Sequence, residues 1–127
     1  MNKEFLNKDE FNELSKYGID LSKYKYYFCW DDDINNGIIV HESMKDKFKN
    51  SYQTLSFFDL INLIPNEIES YYFQIDFEGK WLGYEYLNLI DTTTIEYLHT
   101  ESFKYTNEPI HALYNLVIWY AKNYGVK

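Results

Sequence analysis

The chain has 127 residues, 46% of them hydrophobic, with 12 basic and 20 acidic side chains for a formal charge of −8, and one cysteine. A single domain of this length buries roughly two-thirds of its unfolded surface without covalent staples, and a lone thiol excludes an intramolecular disulfide, as in a reducing compartment. The acidic balance argues against direct contact with a nucleic-acid backbone. The sequence lacks the roughly 20-residue apolar run of a membrane span and any leader-type apolar stretch after Met1, so a cytoplasmic protein with no membrane association is expected.

Fourteen residues are tyrosines, whose polar tips reconcile the apolar content with a mean hydropathy of −0.50. In chain order, residues 7–17 read as a helix. Asn7 caps it with Glu10 three positions on, Leu6 and Phe11 form a staple, Phe11, Leu14 and Tyr17 form a stripe, and Gly18 is a left-handed stop. Residues 24–30 are aromatic and favour a strand, 31–37 a polar turn, and 37–41 the returning strand. Residues 42–53 are polar, with a short helix around 44–48 as their only regular element.

Ser56 and Asp59 repeat the capping pattern for a second helix, with Phe57, Leu60, Ile61 and Ile64 on one face and Pro65 as its end. Residues 71–77 alternate, Tyr71, Phe73, Ile75 and Phe77 against Tyr72, Gln74 and Asp76. They predict a hairpin through Glu78-Gly79 to residues 81–87, with a further strand over 93–98. Asn107, Glu108 and Pro109 open a last helix whose apolar face holds Ile110, Leu113, Leu116, Val117, Tyr120, Ala121 and Tyr124. A helix this apolar is either nearly surrounded or has a second partner, so a homodimer through helix 109–124 is expected as one option. The order predicts one α+β domain over 1–127, an antiparallel sheet of about four to five strands with helices packed on one face.

Several segments carry a resemblance. They are the start Met1-Asn2-Lys3-Glu4-Phe5-Leu6 with Lys8, Phe11, Glu13-Leu14, Gly18-Ile19-Asp20 and Cys29-Trp30; Ser56 to Pro65 with Ile68; Gly79-Lys80-Trp81 with Glu85-Tyr86; and Ala112-Leu113-Tyr114, Ile118-Trp119 and Asn123-Tyr124. Together, covering about half the chain in order, these resemble a family of short proteins, without an assigned activity, encoded by phages, prophages and mobile elements of gut Bacteroidetes. The resemblance implies a bacterial-host setting and a fold, and no catalysis, because the matching positions are caps, stops and core residues. Residues 31–55, acidic and then lysine-rich, depart from the family pattern.

Asp31, Asp33, Asn35 and Glu42 stand at positions 1, 3, 5 and 12 of a calcium-loop spacing, a weak metal candidate because glycine falls one place late at Gly37 and the flanks are strand-like. The alternative is a solvated turn between strands. His41, His99 and His111 show no zinc spacing, and Cys29 between Phe28 and Trp30 reads as a buried, inert thiol. Asp76, Glu78, Glu85 and Glu96 are carboxylates able to converge on one sheet face, the minimum for hydrolysis. No cofactor motif is present. The strand tyrosines Tyr24, Tyr26, Tyr27, Tyr71, Tyr72, Tyr84, Tyr86 and Tyr97 offer rigid, amphipathic contact area. Asp31, Asp32, Asp33, Tyr24, Tyr26, Tyr72 and Asp76 are therefore the expected binding surface, suited to an arginine-rich partner. The expectation is a non-enzymatic phage or mobile-element accessory protein that binds a basic host protein, with counter-defence inhibition its concrete form. The alternatives are a small-ligand or nucleotide binder using Trp30 and Trp81, and a small carboxylate- or Cys29-dependent hydrolase.

Overall fold

The computed structural model describes residues 5–78, 81–104 and 109–125, with side chains for all of these except 76–78, 81–82, 102–104 and 109. The elements run α1 (Lys8–Ser15), β1 (Tyr26–Asp31), β2 (Asn36–His41), a 3-10 helix (Glu42–Lys47), β3 (Lys49–Gln53), α2 (Phe57–Ile61), β4 (Glu67–Ile68), β5 (Tyr71–Glu78), β6 (Trp81–Leu89), β7 (Ile95–Lys104) and α3 (Pro109–Tyr124). This is an α+β architecture on antiparallel strands. The strands divide, however, into a three-stranded sheet, β2-β1-β3, and a four-stranded sheet, β4-β5-β6-β7, where one sheet was expected. The difference arises because no described strand of the β1–β2 hairpin pairs with β4 to β7, and β3, whose Lys-Asn-Ser-Tyr-Gln run has no alternation to announce it, adds to β1 instead.

Both short helices begin where a side chain replaces missing helical acceptors. Asn7 accepts from the Glu10 N–H at 2.9 Å while Glu10 Oε1 accepts from the Asn7 N–H at 3.1 Å. Glu10 Oε2 also meets His111 Nδ1 at 2.9 Å, so one carboxylate caps α1 and tethers it to α3. Ser56 and Asp59 form the same reciprocal pair at the start of α2. That helix closes at Asn62, three residues before Pro65, whose carbonyl accepts from the Tyr86 hydroxyl at 2.7 Å. Gly18, at φ 77°, turns the chain after α1 in the conformation only glycine adopts without cost.

The main core lies between the helices and one face of the four-stranded sheet. Leu6, Phe11, Leu14, Leu55, Leu60, Tyr84, Tyr86, Leu113, Leu116 and Val117 are buried there. Tyr84 meets Phe57 and Phe73, and Tyr86 meets Phe73 and Trp119. Helix α3 supplies Ile110, Ala112, Leu113, Tyr114, Leu116, Val117 and Ala121 to this core. Most of its apolar face is thus covered by its own chain, while Tyr120 is half-buried and Tyr124 exposed, and nothing in the fold supports a homodimer through helix 109–124. The cap expected at Asn107 lies outside the described residues. Among the described residues no helix is long and apolar enough to cross a membrane.

Candidate functional site

The three-stranded sheet is built around β1. Its residues alternate: Tyr26, Phe28 and Trp30 share one face, Tyr27 and Cys29 the other. On the Cys29 side the 3-10 helix lies over the sheet, and Lys45 Nζ sits 4.7 Å above the Tyr27 ring. Cys29 is fully buried there, and burial pushes its thiol pKa up, which makes it a poor nucleophile.

The opposite face is aromatic. Phe28 stacks on Tyr52 with centroids 5.2 Å apart, and Tyr26 meets His41 edge-on at 6.2 Å. Gly37 makes this packing possible, because a Cβ there would lie 2.2 Å from Phe28 Cζ. At the far end of the hairpin the chain turns through residues 32–35, closing the pair Asp31 and Asn36. Asp31 Oδ1 accepts from the Asp33 N–H at 3.0 Å, and Asn35 takes a left-handed φ of 51°.

The β1–β3 ladder shifts register between Phe28 and Trp30, and in this interval of β3 Asn50 adopts φ 56°. Such a bulge redirects the strand. It leaves Lys49 opposite Trp30, at the mouth of a hollow of about 200 Å³ lined by Trp30, Asp31, Asp32, Asp33, Lys47, Phe48 and Lys49. Trp30 is 39% exposed, so its ring is open to a visitor. Three carboxylates beside an open indole suit a guanidinium or ammonium group, which gains both charge pairing and cation–π contact. A second hollow of about 240 Å³, lined by Phe5, Tyr26, Ile39, Ser56 and Asp59, lies beside Tyr26 on the same sheet.

The structure therefore joins Asp31, Asp32 and Asp33 to Trp30, with Tyr26 exposed further along the same strand face. It separates the other expected residues. Tyr24, expected on an outer face, precedes β1 and is buried in the core at 8% exposure, so its ring is closed to a partner. Tyr72 is exposed but belongs to the four-stranded sheet. The side chains of Asp76, Glu78 and Trp81 lie outside those described.

The calcium-loop spacing fails in three dimensions. Asp31 and Glu42 flank opposite ends of β2, on the order of 20 Å apart at the strand rise. Glu42 pairs instead with Lys25 at 3.5 Å. Among the described residues no three His, Cys, Asp or Glu side chains cluster as metal ligands. Glu85 is buried, while Glu96 accepts from the Tyr71 hydroxyl and is exposed. Each histidine has a structural role: His41 caps the 3-10 helix, His99 stacks on Trp119 at 4.2 Å and meets Glu101, and His111 holds Glu10.

Lys47, Phe48 and Lys49 are the site residues that sequence reasoning missed. Their only signal was the lysine-rich stretch following the acidic turn, and the β1–β3 pairing is what folds the two runs together. No family model matches this chain, and searches of the curated proteins and of the solved structures return no match.

Proposed function

We propose that the protein is a non-enzymatic accessory protein of a phage or mobile element that binds a basic host protein in the cytoplasm of the bacterial host, acting as an inhibitor of a host process such as defence. The observation that supports this reading is the hollow at the hairpin tip, where the open Trp30 ring stands beside Asp31, Asp32 and Asp33. At about 200 Å³ it is smaller than the roughly 300–1,000 Å³ of small-molecule pockets. It has room for one side-chain head group, so an arginine or lysine presented by a protein suits it better than a free cofactor. The net charge of −8 adds long-range attraction for a basic partner.

A second reading has one observation in its favour. Lys47 and Lys49 also line the hollow, so an anionic small ligand could stack on Trp30 and pair with them. The three carboxylates repel such a ligand, which ranks this reading lower.

The test is binding of a synthetic arginine-bearing peptide, followed by titration calorimetry, and capture of host proteins by the tagged chain. Binding that weakens about tenfold or more with Trp30→Ala or with Asp31, Asp32 and Asp33 changed to Asn, and that weakens with salt, is the expected result. Binding unaffected by these changes, or thermal stabilisation by nucleotides in place of basic peptides, would replace this reading by the small-ligand one.

A further inference from the structure

We infer that the outer face of the four-stranded sheet is a homodimer interface, with a second copy of this chain as its occupant. The strand registers define that face. Tyr72 lies opposite Leu87, and Leu87 opposite Tyr97, giving one row across β5, β6 and β7. Leu89 opposite Ile95 makes the next row, and Gln74, Glu85 and Thr100 the one on the other side. The reverse face carries Tyr84 and Tyr86 into the core against the helices.

An antiparallel sheet covered on one side ordinarily places polar residues on the other. Here Tyr72, Leu89, Ile95 and Tyr97 are 57%, 60%, 47% and 52% exposed, and Leu87 lies between them. At this end of the sheet β6 and β7 alternate with their apolar residues outward: Leu87, Leu89, Ile95 and Tyr97 share the outer face, while Asn88 and Glu96 pair between them on the reverse face.

Area and charge both point to a second copy. Taking about 150–250 Å² for each fully exposed side chain, the exposures of Tyr72, Leu89, Ile95 and Tyr97 leave roughly 320–540 Å² per copy, and Leu87, Gln74 and Thr100 extend the same face. Two such faces together bury on the order of 1,000–1,200 Å², the lower edge of the range of stable interfaces. Two chains carrying −8 each can approach only where charge is sparse. Glu85 on this face is 4% exposed, Glu67 lies at its margin opposite Tyr72, and Asp76 follows Gln74 along the same face of β5 with its side chain outside those described. Among the described side chains a basic partner meets only Glu67 as an exposed carboxylate here, whereas two twisted sheets stacked face to face close each other as a sandwich does. Homodimer interfaces are also the more apolar class.

Sedimentation equilibrium from micromolar to several hundred micromolar tests this. The wild-type chain is expected to move from 15.4 kDa towards twice that mass, and to associate more tightly as salt screens the repulsion between copies. Leu89→Glu with Tyr97→Glu places like charges across the contact and should weaken association at least about a hundredfold, with an unchanged circular dichroism spectrum. Tyr97→Ser, which adds no charge at an already half-exposed position, serves where the double variant loses its fold, and should weaken association about tenfold. A wild-type chain that stays at 15.4 kDa throughout, or variants that associate as the wild type does, would overturn the inference.

Discussion

Replacing Gly37 by alanine isolates one contact on which the aromatic face of the three-stranded sheet depends. The backbone at Gly37 is not in the left-handed region, so alanine suffers no dihedral penalty there, and the whole effect comes from space. The added Cβ would lie 2.2, 2.6 and 3.3 Å from three atoms of the Phe28 ring. Restoring ordinary contact at about 3.5 Å needs a movement of about 1.3 Å. The ring cannot move that far and keep its stack on Tyr52. Overpacking of this kind costs about 1–3 kcal/mol, and alanine recovers about 0.4–1 kcal/mol by stiffening the unfolded chain. The net expectation is a loss of about 1–2 kcal/mol, or about 3–6 °C in Tm for a domain of this size.

Urea unfolding followed by tryptophan fluorescence measures the loss. Near-ultraviolet circular dichroism reports whether the Phe28–Tyr52 stack is disturbed. The reasoning carries its own control: with Phe28→Leu in the background the ring is gone, and Gly37→Ala should then cost little or become stabilising, a coupling of about 1 kcal/mol or more. A Gly37→Ala protein as stable as wild type, or an equal cost in both backgrounds, would refute the idea that the glycine exists to admit the ring.

Tyr86→Phe removes the hydroxyl that donates to the Pro65 carbonyl and should cost about 1–2 kcal/mol by chemical denaturation, with the segment after α2 loosened in hydrogen exchange. Burial pushes Tyr84 and Tyr114 up to about 12 and raises Tyr86 as well, above the value near 10 of the unfolded chain. Their neutral forms therefore stabilise the fold fully below about pH 10, and that contribution falls by about 1.4 kcal/mol per pH unit for each tyrosine as the pH rises towards 12. Alkaline unfolding should begin in that window, and the tyrosinate absorbance of the buried rings should appear together with loss of helix; smooth titration of all tyrosines near pH 10 in a folded protein would contradict it. Asn7→Ala breaks the reciprocal cap of α1 and should lower stability by about 1 kcal/mol in the same urea assay.

Much of the fold was legible because its signals are local. Asn7 with Glu10 and Ser56 with Asp59 complete their bonds within three residues, so the sequence spacing alone contains the geometry. The alternation over 71–77 likewise needs only its neighbours: Tyr71 and Phe73 do face the core and Tyr72 and Gln74 face out, while Ile75 is 37% exposed and the side chains of 76 and 77 lie outside those described. What could not be read depends on partners distant in the chain. Nothing in residues 49–53 predicts a strand, because β1 supplies the pairing that makes it one. Tyr24 and Tyr26 look alike in sequence. The turn at Ser22 and Lys23 sends the first inward and leaves the second in solvent. For the same reason the acidic turn was visible and the lysines that line the hollow beside it were not.

The two surfaces proposed for this chain lie on different sheets and obey opposite electrostatics, which makes them separable in one set of proteins. Attraction of a basic partner to Asp31, Asp32 and Asp33 is a charge effect, and added salt screens it. Association through Tyr72, Leu87, Leu89, Ile95 and Tyr97 works against the repulsion of two chains of charge −8, so the same salt strengthens it. Asparagine at the three aspartates should weaken peptide binding about tenfold or more and, by lowering the net charge, tighten self-association slightly. Glutamate at Leu89 and Tyr97 should abolish self-association and leave peptide binding within about twofold, apart from any avidity a dimer supplies to a multivalent target. If instead both activities fall together in either variant, the two sheets share a single function, and the assignment of separate roles to them is wrong.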